Sequence, residues 1–112
     1  MNERKVTVTG DFYCDEVLSG NTPVQKVRET TGVLAFQHTR PAYPVHIVVI
    51  PKQHIPSLLE VTPADLFEML AVVQEIAAQV LVEHGACRVV TNLGAYQESK
   101  HLHWHVISGE RL

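Results

Sequence analysis

The chain has 112 residues, 46% of them hydrophobic, with nine Lys and Arg against twelve Asp and Glu for a formal net charge of −3. That is enough for one domain (residues 1–112) with a modest core. It offers neither the basic stripe of a nucleic-acid binder nor an apolar run of the ~20 residues that would cross a bilayer. The first five residues lead into no apolar secretory segment and there are only two cysteines, so the expected setting is the cytoplasm.

In chain order, Met1 to Gly10 reads as a frayed arm or a short edge strand. Asp11 to Leu18 carries apolar residues at 13, 14, 17 and 18, the spacing of a short amphipathic helix, and Ser19-Gly20-Asn21 ends it. Val24 to Arg28 and Val33 to Gln37 read as strands, joined by Glu29-Thr30-Thr31-Gly32 as a hairpin turn. Two prolines make Arg40 to Pro44 a loop. Val45 to Ile50 is a buried strand with His46, Val48 and Ile50 on one face, and His46 alone is polar there.

The sharpest element is a helix from Pro63 to about His84. Thr62 is its N-cap, Pro63 takes the first helical position, Asp65 completes a capping-box pattern and Gly85 closes the far end. Val61 and Leu66 form a hydrophobic staple. The expected buried stripe is Leu66, Leu70, Val73, Ile76, Ala77, Val80 and Leu81, with Phe67 and Met69 lining the core beside it. His84 fits as a last-turn cation. Ala86 to Asn92 reads as a further strand, and Leu93 to Lys100 as the loop leaving it.

Seven histidines are many for so short a chain, and three alternate in His101-Leu102-His103-Trp104-His105-Val106-Ile107. Period-two alternation is that of a β-strand, with Leu102, Trp104 and Val106 inward and the three imidazoles on the other face. Such a row suits metal binding, given a ligand from elsewhere, or nucleophilic catalysis in which one imidazole attacks while its neighbours orient it or move protons. The spacing permits both and favours catalysis. Short strands, one long helix and hairpin connections give an α+β fold built on an antiparallel sheet.

His-Leu-His-Trp-His-Val-Ile resembles the motif of the histidine triad nucleotide-binding hydrolases. Pro44 to Ile55 resembles that family's central strand and turn, and Arg88 to Gly94 the strand that carries its phosphate-contacting asparagine. The resemblance implies a five-stranded antiparallel sheet with one long and one or two short helices. It also implies a homodimer whose sheets join into one of ten strands across the long helix and its neighbouring strand.

It implies that His103 is the nucleophile, tethered by the backbone carbonyl of His101, while His105 and His46 hold phosphate oxygens or pass a proton. Asn92 and Gln97 become amide donors to the phosphate, Glu98 stands where many relatives have a Ser or Thr that hydrogen-bonds the bridging atom, and Ser99 is a further substrate-binding residue. Tyr13, Cys14, Val17, Phe36 and Val48 become the base and sugar pocket.

Relatives often have Cys-x-x-Cys, half of a zinc site, where this chain has Asp11 and Cys14. No zinc or other cofactor is therefore carried over, and Cys14 and Cys87 are expected to be packing residues. Lys100 is expected to be a solvated charge. His38 stands where the family has a ribose-binding aspartate, and Thr39 replaces an apolar pocket residue. The implied activity is hydrolysis at the α-phosphorus of a purine nucleotide conjugate or nucleoside phosphoramidate through a nucleotidyl-histidine. His38 and the end of the chain at Leu112 favour the alternative, a nucleotide-binding regulatory or scaffold dimer with little turnover.

Overall fold

The computed structural model describes residues 11–112, so the expected arm at Met1 to Gly10 lies outside the described residues. Five antiparallel strands form one sheet: β1 (Lys26–Glu29), β2 (Val33–Gln37), β3 (Val45–Pro51), β4 (Arg88–Val90) and β5 (Trp104–Ser108), in the spatial order β1-β2-β3-β5-β4. The long helix α1 (Pro63–His84) lies between β3 and β4 in sequence.

Both faces of the central strands are covered, which is why β3 is apolar at nearly every position. On one face Val33, Ala35, Ile47, Val49, Trp104 and Val106 pack with Met69, Val72, Val73, Ile76 and Val80 of α1. On the other, Leu34, Phe36, Val48 and Ile50 pack under Tyr13 and Val17 of a short π-helical turn, Tyr13–Leu18. The expected faces of β3 are therefore observed: Val48 and Ile50 on one side, Ile47 and Val49 on the other. Register sets the rest, since His46 pairs with Ile107 and Val48 with His105. His46 and His105 thus come from adjacent strands to the same face, on a diagonal where side chains reach each other.

The ends of α1 follow the local chemistry. Thr62 accepts the Asp65 backbone N–H at 3.2 Å, Pro63 fills the first position, and Gly85 adopts φ +83° and donates to the Leu81 carbonyl at 2.8 Å. The buried stripe differs from expectation. It centres on Met69, Val73, Ile76 and Val80, with Val72 buried, Leu66, Leu70 and Ala77 only flanking, and Leu81 54% exposed. The face is rotated by about 50° from the one read off the leucines, and it leaves Phe67 80% exposed rather than in the core. Leucines at helical spacing mark a stripe, but the sheet under the helix decides which edge of it is buried.

Three boundaries move as well. β1 starts at Lys26 and carries an irregularity between Lys26 and Arg28, and β4 is only three residues long. β5 begins at Trp104, so His101, Leu102 and His103 precede the strand instead of continuing it. Leu102 donates its backbone N–H to Ile55 at 2.7 Å, away from the ladder. Gly109 (φ +90°) turns the chain out of β5 so close to Pro44 that a Cβ there would sit 2.7 Å from the ring. The backbone N–H of Leu112 then donates to the Ala42 carbonyl at 2.8 Å, fastening residues 109–112 beside the 40–44 loop.

Candidate active site

A cleft of ≈ 840 Å³ opens beside His103 and the face of β5 that carries His105. Of the residues expected at the site, Tyr13, Phe36, His38, His46, Asn92, Glu98, Ser99, His103 and His105 line it. The others do not. Val17 and Val48 lie beneath in the second core cluster. Gln97 is 5% exposed and spends its amide donor on the Pro56 carbonyl at 2.7 Å, so it braces the loop instead of facing a phosphate. His101 is wholly buried outside the cleft. Lys100 is exposed, as expected of a solvated charge, and its Nζ also donates to the carbonyls of Gly94 and Gln97.

Hydrogen bonds assign the tautomers. The Nδ1–H of His103 donates to the His101 carbonyl at 2.7 Å, which leaves Nε2 with a lone pair. The Ala42 backbone N–H donates to His46 Nδ1 at 3.0 Å, so His46 carries its proton on Nε2. That proton is donated to His105 Nδ1 at 2.9 Å, so His105 keeps a proton on its own Nε2. The Arg40 backbone N–H donates to His38 Nδ1 at 2.9 Å, and His38 likewise presents Nε2–H. One nucleophilic lone pair therefore stands beside two imidazole N–H donors. Thr91 fixes the backbone here by donating its hydroxyl to the His103 carbonyl at 2.8 Å.

Burial keeps these rings neutral. It lowers the pKa of His105 to about 3, helped by His103, His46 and His38, and that of His46 to about 4, helped by His38 and Arg111. Burial also lowers His103, against the opposing bond to the His101 carbonyl, and lowers His38, against the opposing Glu98 carboxylate. Residues 40, 43, 96 and 111 also line the cleft. Arg40 and Tyr43 were visible only as loop residues and Arg111 only as a terminal one; no periodicity marked them.

Two groups of side chains could be tested as metal ligands. His38, His46 and His105 bring ligand atoms within 4.8 Å of one another, yet each Nδ1 lone pair already accepts an N–H. They form a relay and fit a metal poorly. The second group fits well: Asp11, Cys14, His54 and His101. His101 donates Nε2–H to the Pro51 carbonyl at 2.8 Å, which turns its Nδ1 lone pair toward Asp11 Oδ2 at 3.1 Å and Cys14 Sγ at 3.3 Å. His54 Nδ1 is in contact with the same carboxylate oxygen and lies 3.7 Å from the sulfur. Lone pairs converging in this way require a proton or a cation between them, and carboxylate, thiolate and imidazole are all zinc ligands.

Asp11 therefore does not disqualify the site, and Cys14 is a candidate ligand as well as a packing residue. Sequence reasoning missed the site by treating a carboxylate as a loss; the Asp11-x-x-Cys14 spacing was the available signal. An ion there would supply structure, not reaction chemistry, since none of the four residues lines the cleft. Burial and the Asp11 carboxylate push the Cys14 thiol up to about 12, so without a cation it stays protonated.

The HIT domain family profile matches residues 19–112. An uncharacterised HIT-like protein of Synechococcus elongatus is 40% identical over 107 residues, covering 91% of this chain and 93% of that one. A HIT family hydrolase from Legionella pneumophila superposes with a TM-score of 0.72 at 31% identity, over 89% of this chain and 93% of its own. A histidine triad protein from Clostridium difficile gives 0.72 at 30% identity over 100% of this chain and 96% of its own. The α+β architecture, a five-stranded antiparallel sheet with one long helix, is theirs as well.

Two outcomes follow from the site. His46 and His105 have lowered pKa values when folded and return to about 6.5 on unfolding. Below 6.5 the unfolded chain binds the extra protons, so stability that is complete above 6.5 falls as the pH drops toward about 4 and 3. Urea midpoints at pH 7.5 and 4.5 should show that fall, and His46→Asn/His105→Asn should show less of it; an identical fall in both would refute the assignment. Separately, Co²⁺ titrated into metal-free protein should saturate at about one equivalent with a thiolate charge-transfer band. The band should vanish in Cys14→Ser, and a titration without it would count against the four-residue site.

Proposed function

The chain belongs to the HIT domain family, and on that premise we propose that it hydrolyses nucleoside 5′-phosphoramidates or related purine nucleotide conjugates at the α-phosphorus, through a nucleotidyl-histidine intermediate. The observation that carries this reading is the 2.7 Å bond from His103 Nδ1–H to the His101 carbonyl. It leaves a neutral imidazole with its Nε2 lone pair as the reacting atom, on a ring that burial keeps unprotonated.

His103 Nε2 attacks the phosphorus and the bond to the leaving group breaks. The positive charge that develops on the imidazole is stabilised through Nδ1–H by the same carbonyl. His105 lies on the next cleft-facing position of the chain, with the two ring centroids 5.0 Å apart, and its Nε2–H hydrogen-bonds a phosphate oxygen or the departing nitrogen; that nitrogen takes its proton from solvent, because a neutral imidazole that gave one up would be left as an anion. Asn92 supplies a neutral amide from the cleft wall, and Glu98 and Ser99 border the leaving group. Ser99 Oγ is buried with no hydrogen-bond partner among the described residues, the condition of a hydroxyl that a ligand completes. Water then attacks the nucleotidyl-histidine, releasing the nucleotide and restoring His103.

The homodimer belongs to the same proposal. Leu81 and Val82 on α1 are exposed by 54% and 86%, and Val89 on the edge strand β4 by 43%. An apolar helix edge beside an unpaired strand suits a twofold contact that continues the sheet. Light scattering at micromolar concentration should give twice the 12.5 kDa chain mass; a monomer would oppose it.

His103→Ala should lose at least ~10³-fold in kcat/KM while still binding nucleotide, because no other side chain offers a free imidazole lone pair at that point. Mass spectrometry of protein quenched during turnover of an adenosine phosphoramidate should find one added nucleotidyl group, absent in His103→Ala. Turnover in that variant near the parent rate would refute the mechanism. Tight nucleotide binding by the parent protein without either turnover or adduct would favour the scaffold reading instead.

A further inference from the structure

The cleft extends beyond the residues that the reacting phosphorus needs. β2 ends, β3 begins and β5 ends at one edge of the sheet, because Val45 pairs with Ser108 and Gln37 with Ile47. Past His46 and His105, this edge gathers His38, Arg40, Tyr43 and Arg111, all of which line the same cleft. His38 lies over His46 with ring centroids 4.2 Å apart, and 6.1 Å from His105. It is thus the next polar side chain outward from the two rings that face the phosphate.

The chemistry of this end is that of an anion site. His38 is held by the Arg40 backbone N–H on Nδ1, and its Nε2–H has no partner among the described residues. The Arg111 guanidinium lies over the Tyr43 ring, 5.9 Å from its centroid, and its backbone is steadied by the Leu112 bond to Ala42. Among the described residues neither Arg40 nor Arg111 has an acidic partner within 4.0 Å, and Glu98 is the one acid lining the cleft. Arg111 lowers the pKa of His46, so its charge is felt inside the cleft. Both arginines are exposed and hydrated in the free protein; a phosphate engages the two guanidinium forks together with the imidazole N–H, whereas sugar hydroxyls offer neither of them a charge.

Resting on the nucleotide reading above, we propose that His38, Arg40 and Arg111 bind a second phosphate carried on the 2′ or 3′ oxygen of the substrate's sugar, so that the preferred nucleotides are sugar-phosphorylated. A 5′-nucleotide with its phosphorus at His103 Nε2 has its sugar one ester linkage away, and His38, which lines the same cleft and lies over His46, is the side chain that would meet it. The leaving-group side, at Glu98 and Ser99, lies on the loop that enters β5, at the opposite end of the strand from Arg111. A phosphate esterified to the sugar would meet the basic end, whereas a β-phosphate would extend toward Glu98.

Calorimetry with adenosine 5′-monophosphate, adenosine 2′,5′- and 3′,5′-bisphosphates and adenosine diphosphate tests this directly. The parent protein should bind at least one sugar bisphosphate about tenfold or more tighter than the monophosphate, with a smaller gain for the diphosphate. Arg40→Ala/Arg111→Ala should bring the bisphosphate to within about threefold of the monophosphate, and His38→Asp should remove the preference by setting a carboxylate against the phosphate. Circular dichroism establishes that the variants are folded, and the ratio of bisphosphate to monophosphate affinity within each variant cancels any general change in the cleft. Equal affinities in the parent, a preference that survives in the double variant, or a diphosphate gain as large as the bisphosphate gain would overturn the inference and leave the nucleotide reading standing. Failure of all four nucleotides to bind would overturn both.

Discussion

The hydrogen bond from His103 Nδ1–H to the carbonyl of His101 is the constraint on which the site depends, and much of the fold serves to hold its acceptor still. His101 is immobilised three ways: Nε2–H donates to the Pro51 carbonyl, Nδ1 faces Asp11 and Cys14, and the whole side chain is excluded from water. Pro51 ends β3, the strand that pairs with both β2 and β5. A shift of β3 against β5 would move the carbonyl and the imidazole together, and the tautomer of His103 would survive. Loss of the Asp11 cluster would instead loosen His101 alone. The cluster is thus coupled to the His103 ring through one backbone carbonyl, although none of its side chains lines the cleft.

That arrangement divides the histidines of the motif by environment. His101 is wholly buried and structural, His103 is buried but opens its Nε2 to the cleft, and His105 joins His46 in a relay. Alternation alone treated the three as equivalent members of one row. The chain achieves the difference by starting β5 at Trp104, so His101 lies off the ladder and turns into the space beneath the Tyr13–Leu18 turn.

What was legible in the sequence was whatever local chemistry determines. Thr62, Pro63 and Gly85 delimit α1 because caps act within one turn, and the faces of β3 follow from period two. Register, which puts His46 against Ile107 and thereby near His105, is a long-range quantity and left no mark beyond one polar residue in an apolar run. The same holds for Gln97, whose amide reads as a phosphate donor until the Pro56 carbonyl is found beside it. It holds equally for Leu81, which matches the helical period but lies outside the strip that the sheet covers. Arg40 and Arg111 are separated by most of the chain, and only the turn at Gly109 brings the second to the first.

Histidines at positions 38, 46, 103 and 105 lie close enough that protonating one raises the cost of protonating the next, and burial adds to that cost. The free protein therefore presents lone pairs and neutral N–H groups at neutral pH, with its permanent positive charge at Arg40 and Arg111 at one end. A phosphate entering among these rings reverses the sign of the local field. Imidazoles too acidic to hold an extra proton in the free protein gain affinity for one when an anion lies beside them. On the proposed mechanism the attacking ring is thus unprotonated before substrate arrives, and the imidazolium formed on attack is stabilised by the phosphate it has bonded to. Four clustered histidines, which repel one another when charged, become mutually compatible around an anion.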